Sequence, residues 1–427
     1  MDRLHYSLTE YGDPVQVSLG NSDLEELRTE VSRWQKILGL RRPPISIAPV
    51  GEHTYQLRAE GAAGVISVGV TTIDICPKFL GKSVAQWKQI LWNVLAVIGE
   101  VPRQISTLSA EEAKSGMLDQ LGWMFIRSLE SGRQEGLPRG YTESSESLPT
   151  LRGRLDVSKL RETLTRPNRL PCIYEEYTFD VPMNRLLFWA CRTLADRVNS
   201  PVLACLLLAE SYSFTGVSAV PPSLSEVDRI QLPLLFEALK PAFDASKLLL
   251  RGRSIAPGAG PFDAPSFLWN SAVVYERFVG VILKRVAHQR SWQVASGIAN
   301  LALPCGTQRP LRSDPDFRML SGKTVKIVLD AKYKGRDQDD DHPAISDVYQ
   351  VLAAGRLYRC DFVSLVYPTL RPRTPLCWKV REDQMPTNLS ITFVNLSHMA
   401  VIGGERQCAQ ELGRQLNAVM TPRAKQA

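Results

Sequence analysis

The spacing of apolar residues along the chain changes twice. Residues 44–79 carry short apolar or alternating runs at 45–48, 55–59, 65–70 and 73–76, each bounded by Gly, Pro or charged residues. A period of two predicts a β-rich stretch. Apolar residues then recur every three or four positions at 83–98 and 110–131, which predicts two helices. A segment rich in Gly, Pro, Ser and Glu, 132–149, reads as a loop. Between 150 and 260 the pattern is mainly helical, with apolar faces at 183–198, 201–211 and 232–250, and the Gly/Pro-rich 256–265 reads as a linker. From about 265 the order becomes mixed: a helix at 266–288, strands near 293–295, 316–319 and 325–331, a helix at 346–358 and a strand at 362–367. The expectation is a multi-domain α/β chain in three segments: 1–149 β-rich and helical, 150–260 helical, and 261–427 with a mixed sheet flanked by helices.

Composition narrows the class. At 427 residues, 44% hydrophobic and 22% charged, the chain has the balance of a globular protein with a sizeable core. Its longest apolar run, 202–209, is far short of the roughly 20 residues a membrane span needs. Residues 1–14 lack the apolar core of a signal peptide, so a soluble cytoplasmic protein is expected. Eight cysteines contain no CxxC pair, and the five histidines form no HExxH pattern; this disfavours a zinc site or a disulfide framework. The net charge of +7 suits a polyanionic partner such as DNA, although a merely basic protein would show the same figure.

The densest chemistry lies in Asp314-Pro315-Asp316-Phe317 and Val328-Leu329-Asp330-Ala331-Lys332, separated by the turn-like Ser321-Gly322-Lys323. Together they read as a β-hairpin. Side chains at i and i+2 share a strand face, so Asp330 and Lys332 emerge together, and pairing brings Asp316 alongside. Two close carboxylates form a hard-oxygen site suited to Mg²⁺ or Mn²⁺, and a lysine beside them can stabilise charge developing on a phosphate. Asp316, Asp330 and Lys332 are thus candidate catalytic residues for phosphodiester hydrolysis; a surface hairpin of alternating charge remains the plainer alternative. Glu276, on an otherwise apolar helical segment, is either a further metal ligand or a solvated partner of Arg277 or Lys284. Gln350 is either a phosphate or water ligand or an exposed helical glutamine. The acidic run 337–341 reads as a solvated loop. Gly81-Lys82-Ser83 and Gly322-Lys323-Thr324 imitate the end of a phosphate-binding loop, but the required earlier glycine is Cys76 or Phe317, so nucleotide hydrolysis by the chain itself is excluded on this motif.

These segments resemble the PD-(D/E)xK nuclease core, and their order resembles the McrC family, the nuclease subunit of McrBC-type modification-dependent restriction systems. The similarity extends through 72–78, 151–157, 175–187 and 346–350. Two positions depart from the family pattern: Arg312-Ser313-Asp314-Pro315-Asp316 replaces a shorter Arg-Pro-Asp, and Ala354 stands where an aromatic residue is usual. The resemblance implies a DNA endonuclease in a phage-defence complex, with Asp316, Asp330 and Lys332 in the nuclease core and Glu276 on its upstream helix. It also implies a separate AAA+ GTPase partner resembling McrB, docked by the N-terminal region. Asp156, Asp180, Asn184 and Arg185 match family signature positions as well, either in function or as caps and buried hydrogen-bond partners. A degenerate adaptor that activates a motor and a standalone repair nuclease are the competing expectations.

Overall fold

The computed structural model describes residues 4–80, 86–101, 112, 115–252, 266–297, 299–302, 311–334, 342–380 and 388–421. The GKS segment at 81–83, the linker 256–265 and the acidic run 337–341 lie outside these. The chain is a multi-domain mixed α/β protein. It opens with strands β1 (Leu4–Thr9) and β2 (Val15–Ser18), helix α1 (Asn21–Ile37), strands β3 (Ile45–Gly51), β4 (Thr54–Ala59), β5 (Ala62–Val68) and β6 (Thr71–Cys76), and helix α2 (Trp87–Val97). Next come α3 (Met117–Gly132), β7 (Gly140–Leu148), β8 (Arg154–Leu155), α4 (Glu162–Thr165), β9 (Leu170–Thr178), α5 (Pro182–Ala195), α6 (Pro201–Ser211), α7 (Leu224–Arg229) and α8 (Lys240–Gly252). The last third runs β10 (Phe267–Asn270), α9 (Ser271–His288), β11 (Gln293–Ala295), β12 (Ala299–Ala302), β13 (Leu311–Ser313), β14 (Phe317–Ser321), β15 (Thr324–Ala331), α10 (Ile345–Leu357), β16 (Phe362–Thr369), β17 (Leu376–Lys379), β18 (Asn388–Asn395) and α11 (Glu405–Met420).

Two compact units result, and their boundaries differ from the three expected segments. One unit combines 1–66, 70–107 and 268–427; the other comprises 67–69 and 108–267. The first therefore draws its elements from both ends of the chain. Helix α2 packs on α9, and the Asn93 amide donates to the Met399 carbonyl at 2.8 Å. Such contacts join segments that the pattern alone separated.

Within this unit a six-stranded sheet has the order β11-β14-β15-β16-β18-β17. The β14–β15, β11–β14 and β17–β18 pairs are antiparallel, whereas β15–β16 and β16–β18 are parallel. Central strands buried on both faces need continuous apolar sequence, and β18 is buried along nearly its whole length. Helix α10 covers one face, where Val328, Val351, Ala354, Val363, Leu365 and Ile391 belong to one core. Ala354, one of the two departures from the family pattern, thus falls in packing. Two smaller sheets, β1-β6-β5-β10 and β2-β4-β3, account for the β-rich stretch expected at 44–79.

In the second unit the expected loop at 132–149 contains β7. This strand pairs antiparallel with β9 over nine positions, in a sheet ordered β7-β9-β8. The segment expected to be mainly helical therefore also carries two strands. Here Asp180 accepts from Arg185 at 2.6 and 2.7 Å, Asn184 donates to the Pro138 and Phe179 carbonyls, and Asp156 caps the short turn after it through Ser158. These four signature residues satisfy local polar groups.

Candidate functional site

The site begins with a hairpin. Ser321 pairs with Thr324, leaving Gly322 and Lys323 as a two-residue turn, and Gly322 has φ +60°, which favours glycine at the first turn position. The GKT sequence is therefore a hairpin turn. From it the register runs back to Phe317 opposite Leu329, so one step further Asp316 stands beside Asp330. The ladder holds the pair directly: the Ala331 backbone N–H donates to Asp316 Oδ2 at 2.7 Å. Leu329, Val328 and Ile327 are fully buried, so Asp330 follows an apolar strand and is itself only 2% exposed.

Lys332, two residues on, shares the Asp330 face and forms an ion pair with its Oδ2. The Lys332 ammonium also donates to Gln350 Oε1 at 3.0 Å and lies 3.9 Å from Asp347 Oδ1. Asp347 and Gln350 are three apart on α10, one face of a helix, and buried Asp347 accepts from Lys334 at 2.7 and 2.8 Å. Asp347 is a site component that the sequence reading did not single out. Its i, i+3 spacing from Gln350 was the available signal.

The electrostatics follow from crowding negative charge in a partly dry place. Burial, then the charge of Asp330, pushes the Asp316 carboxyl up to about 7; the Ala331 N–H and Lys332 oppose this, while Glu276 adds to it. Asp330 is also raised, first by burial, with Lys332 pulling the other way and Asp347 reinforcing the rise. Glu276 sits on α9, whose first turn is capped by Asn270 accepting from the Ala272 and Val273 N–H groups. Its carboxyl is exposed but raised, by partial desolvation and then by Asp330 and Asp314. Arg277 is engaged elsewhere, with Glu100 and the Ile98 carbonyl. Glu276 therefore reaches the cluster through its charge. Among the described residues no three His, Cys, Asp or Glu side chains are gathered closely enough to hold an ion. The structure brings Asp316, Asp330, Lys332 and Gln350 together; Glu276 stands at the rim.

Do these residues suit a divalent cation? Asp330 Oδ2 is sealed from solvent against the Lys332 ammonium, and the charge of Asp330 raises the proton affinity of Asp316. The raised Asp316 marks a place where a further cation would be stabilised, and the donors are hard oxygens. Asp316 and Asp330 fit Mg²⁺ or Mn²⁺.

Fold and site together define a class: a multi-domain α/β chain whose mixed sheet presents two facing carboxylates and a lysine. The family model described as "McrBC 5-methylcytosine restriction system component" matches residues 57–368, and the chain belongs to that family. No curated protein is detectably similar in sequence. Among solved structures, a chain of the refined half-complex from a tetradecameric assembly of Thermococcus gammatolerans McrB AAA+ hexamers with bound McrC is similar with a TM-score of 0.69 and 17% identity, covering 97% of this chain and 100% of that one. A chain of the Thermococcus gammatolerans McrBC complex, solved by cryo-electron microscopy, has a TM-score of 0.46 and 18% identity over 66% of this chain and 88% of that one.

Proposed function

We propose that this chain is the metal-dependent DNA endonuclease subunit of a modification-dependent restriction complex, acting with an AAA+ GTPase partner. The observation that carries the reading is the facing pair Asp316 and Asp330 with Lys332 two residues beyond, an arrangement that fits a PD-(D/E)xK site. Membership of a restriction-system family supports DNA as substrate, and the McrB AAA+ hexamers with bound McrC in the assembly that holds the similar fold support the partner. The net charge of +7 favours a polyanion through counterion release. On this reading the N-terminal elements and the second unit serve docking, and 261–427 carries the nuclease. Among the described residues no helix is long and apolar enough to cross a membrane.

Each residue then has a task. Asp316 and Asp330 would hold Mg²⁺ or Mn²⁺, which when bound supplies an acidified water and neutralises charge at the attacked phosphate. Lys332, held between Asp330 and Gln350, donates toward the negative charge that develops on the phosphate oxygens. Gln350 fixes the lysine and offers its amide N–H to phosphate. Asp347 keeps a second ammonium, that of Lys334, next to the cleft.

The test uses the purified chain with its AAA+ partner, GTP, Mg²⁺ and DNA carrying methylated cytosine. Cleavage is expected, and Asp330→Ala should abolish it. If the parent never cuts while still stimulating the motor, the chain is an adaptor; cutting without any partner would make it a standalone nuclease. Normal cutting by Asp330→Ala would refute the site.

A further inference from the structure

Strand β15 ends at Ala331, and its pairing with β16 extends one backbone bond further. The Lys332 backbone N–H donates to the Val366 carbonyl at 2.9 Å, so the chain is held on one side by β16 and, just past Lys332, by what Tyr333 meets. Tyr333 reaches away from the cleft to the N-terminal part of the same unit, where its hydroxyl donates to Glu10 Oε2 at 2.6 Å. The same oxygen accepts the Lys78 backbone N–H at 3.2 Å. Phe79 meets the Tyr333 ring edge to face at 4.4 Å, and the Lys78 ammonium lies 4.7 Å from that ring's centre. The phenol and the carboxylate are thus seated among rings, a backbone donor and one indirect cation.

Glu10 is the unusual member. It is 1% exposed, its Oε1 makes no hydrogen bond, and among the described residues no cation lies within ion-pair distance. Burying a carboxylate this way opposes folding unless its hydrogen bonds compensate. A leucine at the end of β1 would serve packing better. The phenol, raised well above its ordinary value by burial and by Glu10, remains a donor at any physiological pH.

We propose that Glu10 and Tyr333 form a positioning pair that sets where the Lys332 ammonium stands in the cleft, making cleavage depend on the N-terminal strand β1. The pair touches no reacting atom; it acts through the Lys332 backbone. The inference rests on Lys332 serving the reaction proposed above.

Removing both partners at once separates positioning from stability, because exchanging a buried hydrogen-bonded pair for apolar groups is often neutral for folding, and the Lys78 N–H that also meets Glu10 is only part-buried and open to water. The full-length double variant Glu10→Leu/Tyr333→Phe, assayed with the AAA+ partner, GTP, Mg²⁺ and methylated DNA, should keep the parental melting temperature and DNA KM. Its kcat should fall by between about 10- and 100-fold, the scale of a small misplacement of a catalytic group. Glu10→Gln, whose amide oxygen still accepts from Tyr333, should recover most of the rate. Hydrogen exchange gives a readout independent of cutting: in the double variant the 331–334 amides should exchange faster, with those of β18 unchanged. Parental kcat and parental exchange in a stably folded double variant would overturn the proposal, as would loss of rate only in step with melting temperature. Asp330→Ala is run alongside. If it cuts normally, the proposed function falls, and the exchange data alone decide the pair.

Discussion

Asp316 concentrates the chemistry of the site in one titration. Its carboxyl, ordinarily near 3.8, stands at about 7 in the folded chain because burial and Asp330 disfavour its charge. Between those values the folded state holds a proton that the unfolded chain has released. Stability of the metal-free protein from this group is therefore greatest at the acid end and declines as pH rises from about 3.8 to about 7. Asp316→Asn should remove the effect. In chelator, the melting temperature of the variant relative to the parent should climb across that window and level off above it; a constant difference would contradict the assignment. Mg²⁺ binding near neutral pH should release protons from the parent. At this scale the sequence was readable wherever chain geometry is local: the i, i+2 spacing of Asp330 and Lys332, and the hairpin that returns Asp316, follow from strand alternation. Glu10 was not readable, because a single acidic residue before Tyr11-Gly12 carries no period and acquires meaning only opposite Tyr333.

Among the elements, α10 matters most to the site, since it carries Asp347 and Gln350 to Lys332. Its closeness to the sheet depends on Gly355: a Cβ there would lie 2.5 Å from Val363 Cγ1 on β16. Gly355→Ala should cost about 1–3 kcal/mol through overpacking, measured as a lower denaturation midpoint, and should weaken cleavage by lifting Gln350 away from Lys332. Helix and strand positions were well predicted where apolar residues repeat regularly: 201–211 became α6 and 293–295 became β11. Strand β7 was missed because Gly140–Leu148 is largely Ser, Thr and Glu, with alternating partial exposure, and its partner lies in β9 far along the chain. Helix α1 was missed although Leu24, Leu27, Val31 and Trp34 do repeat at helical spacing; dense charge between them obscured an amphipathic face.

For the molecule as a whole, a multi-domain α/β class was legible from the changing period, whereas the partition into units was not. No local pattern signals that 1–66 and 70–107 pack with 268–427, since the information lies in contacts such as that of Asn93 with Met399, 306 positions apart. Because the cleft occupies only one of the units, Asp330→Ala should separate two activities: DNA cutting lost, stimulation of GTP hydrolysis by the AAA+ partner retained, both read in one reaction. Parallel loss of the two would place motor contact at the cleft itself. The chain's route through this unit also bears on its synthesis. Strand β1 leaves the ribosome long before its distant companion Tyr333 has been translated, and β18 later still. The intervening 108–267 can condense in the meantime, while the early segment waits for its complement. A nascent or prematurely terminated polypeptide lacking the later strands thus has no assembled cleft, and, on the function proposed above, biosynthesis itself keeps partial products from attacking the cell's own chromosome.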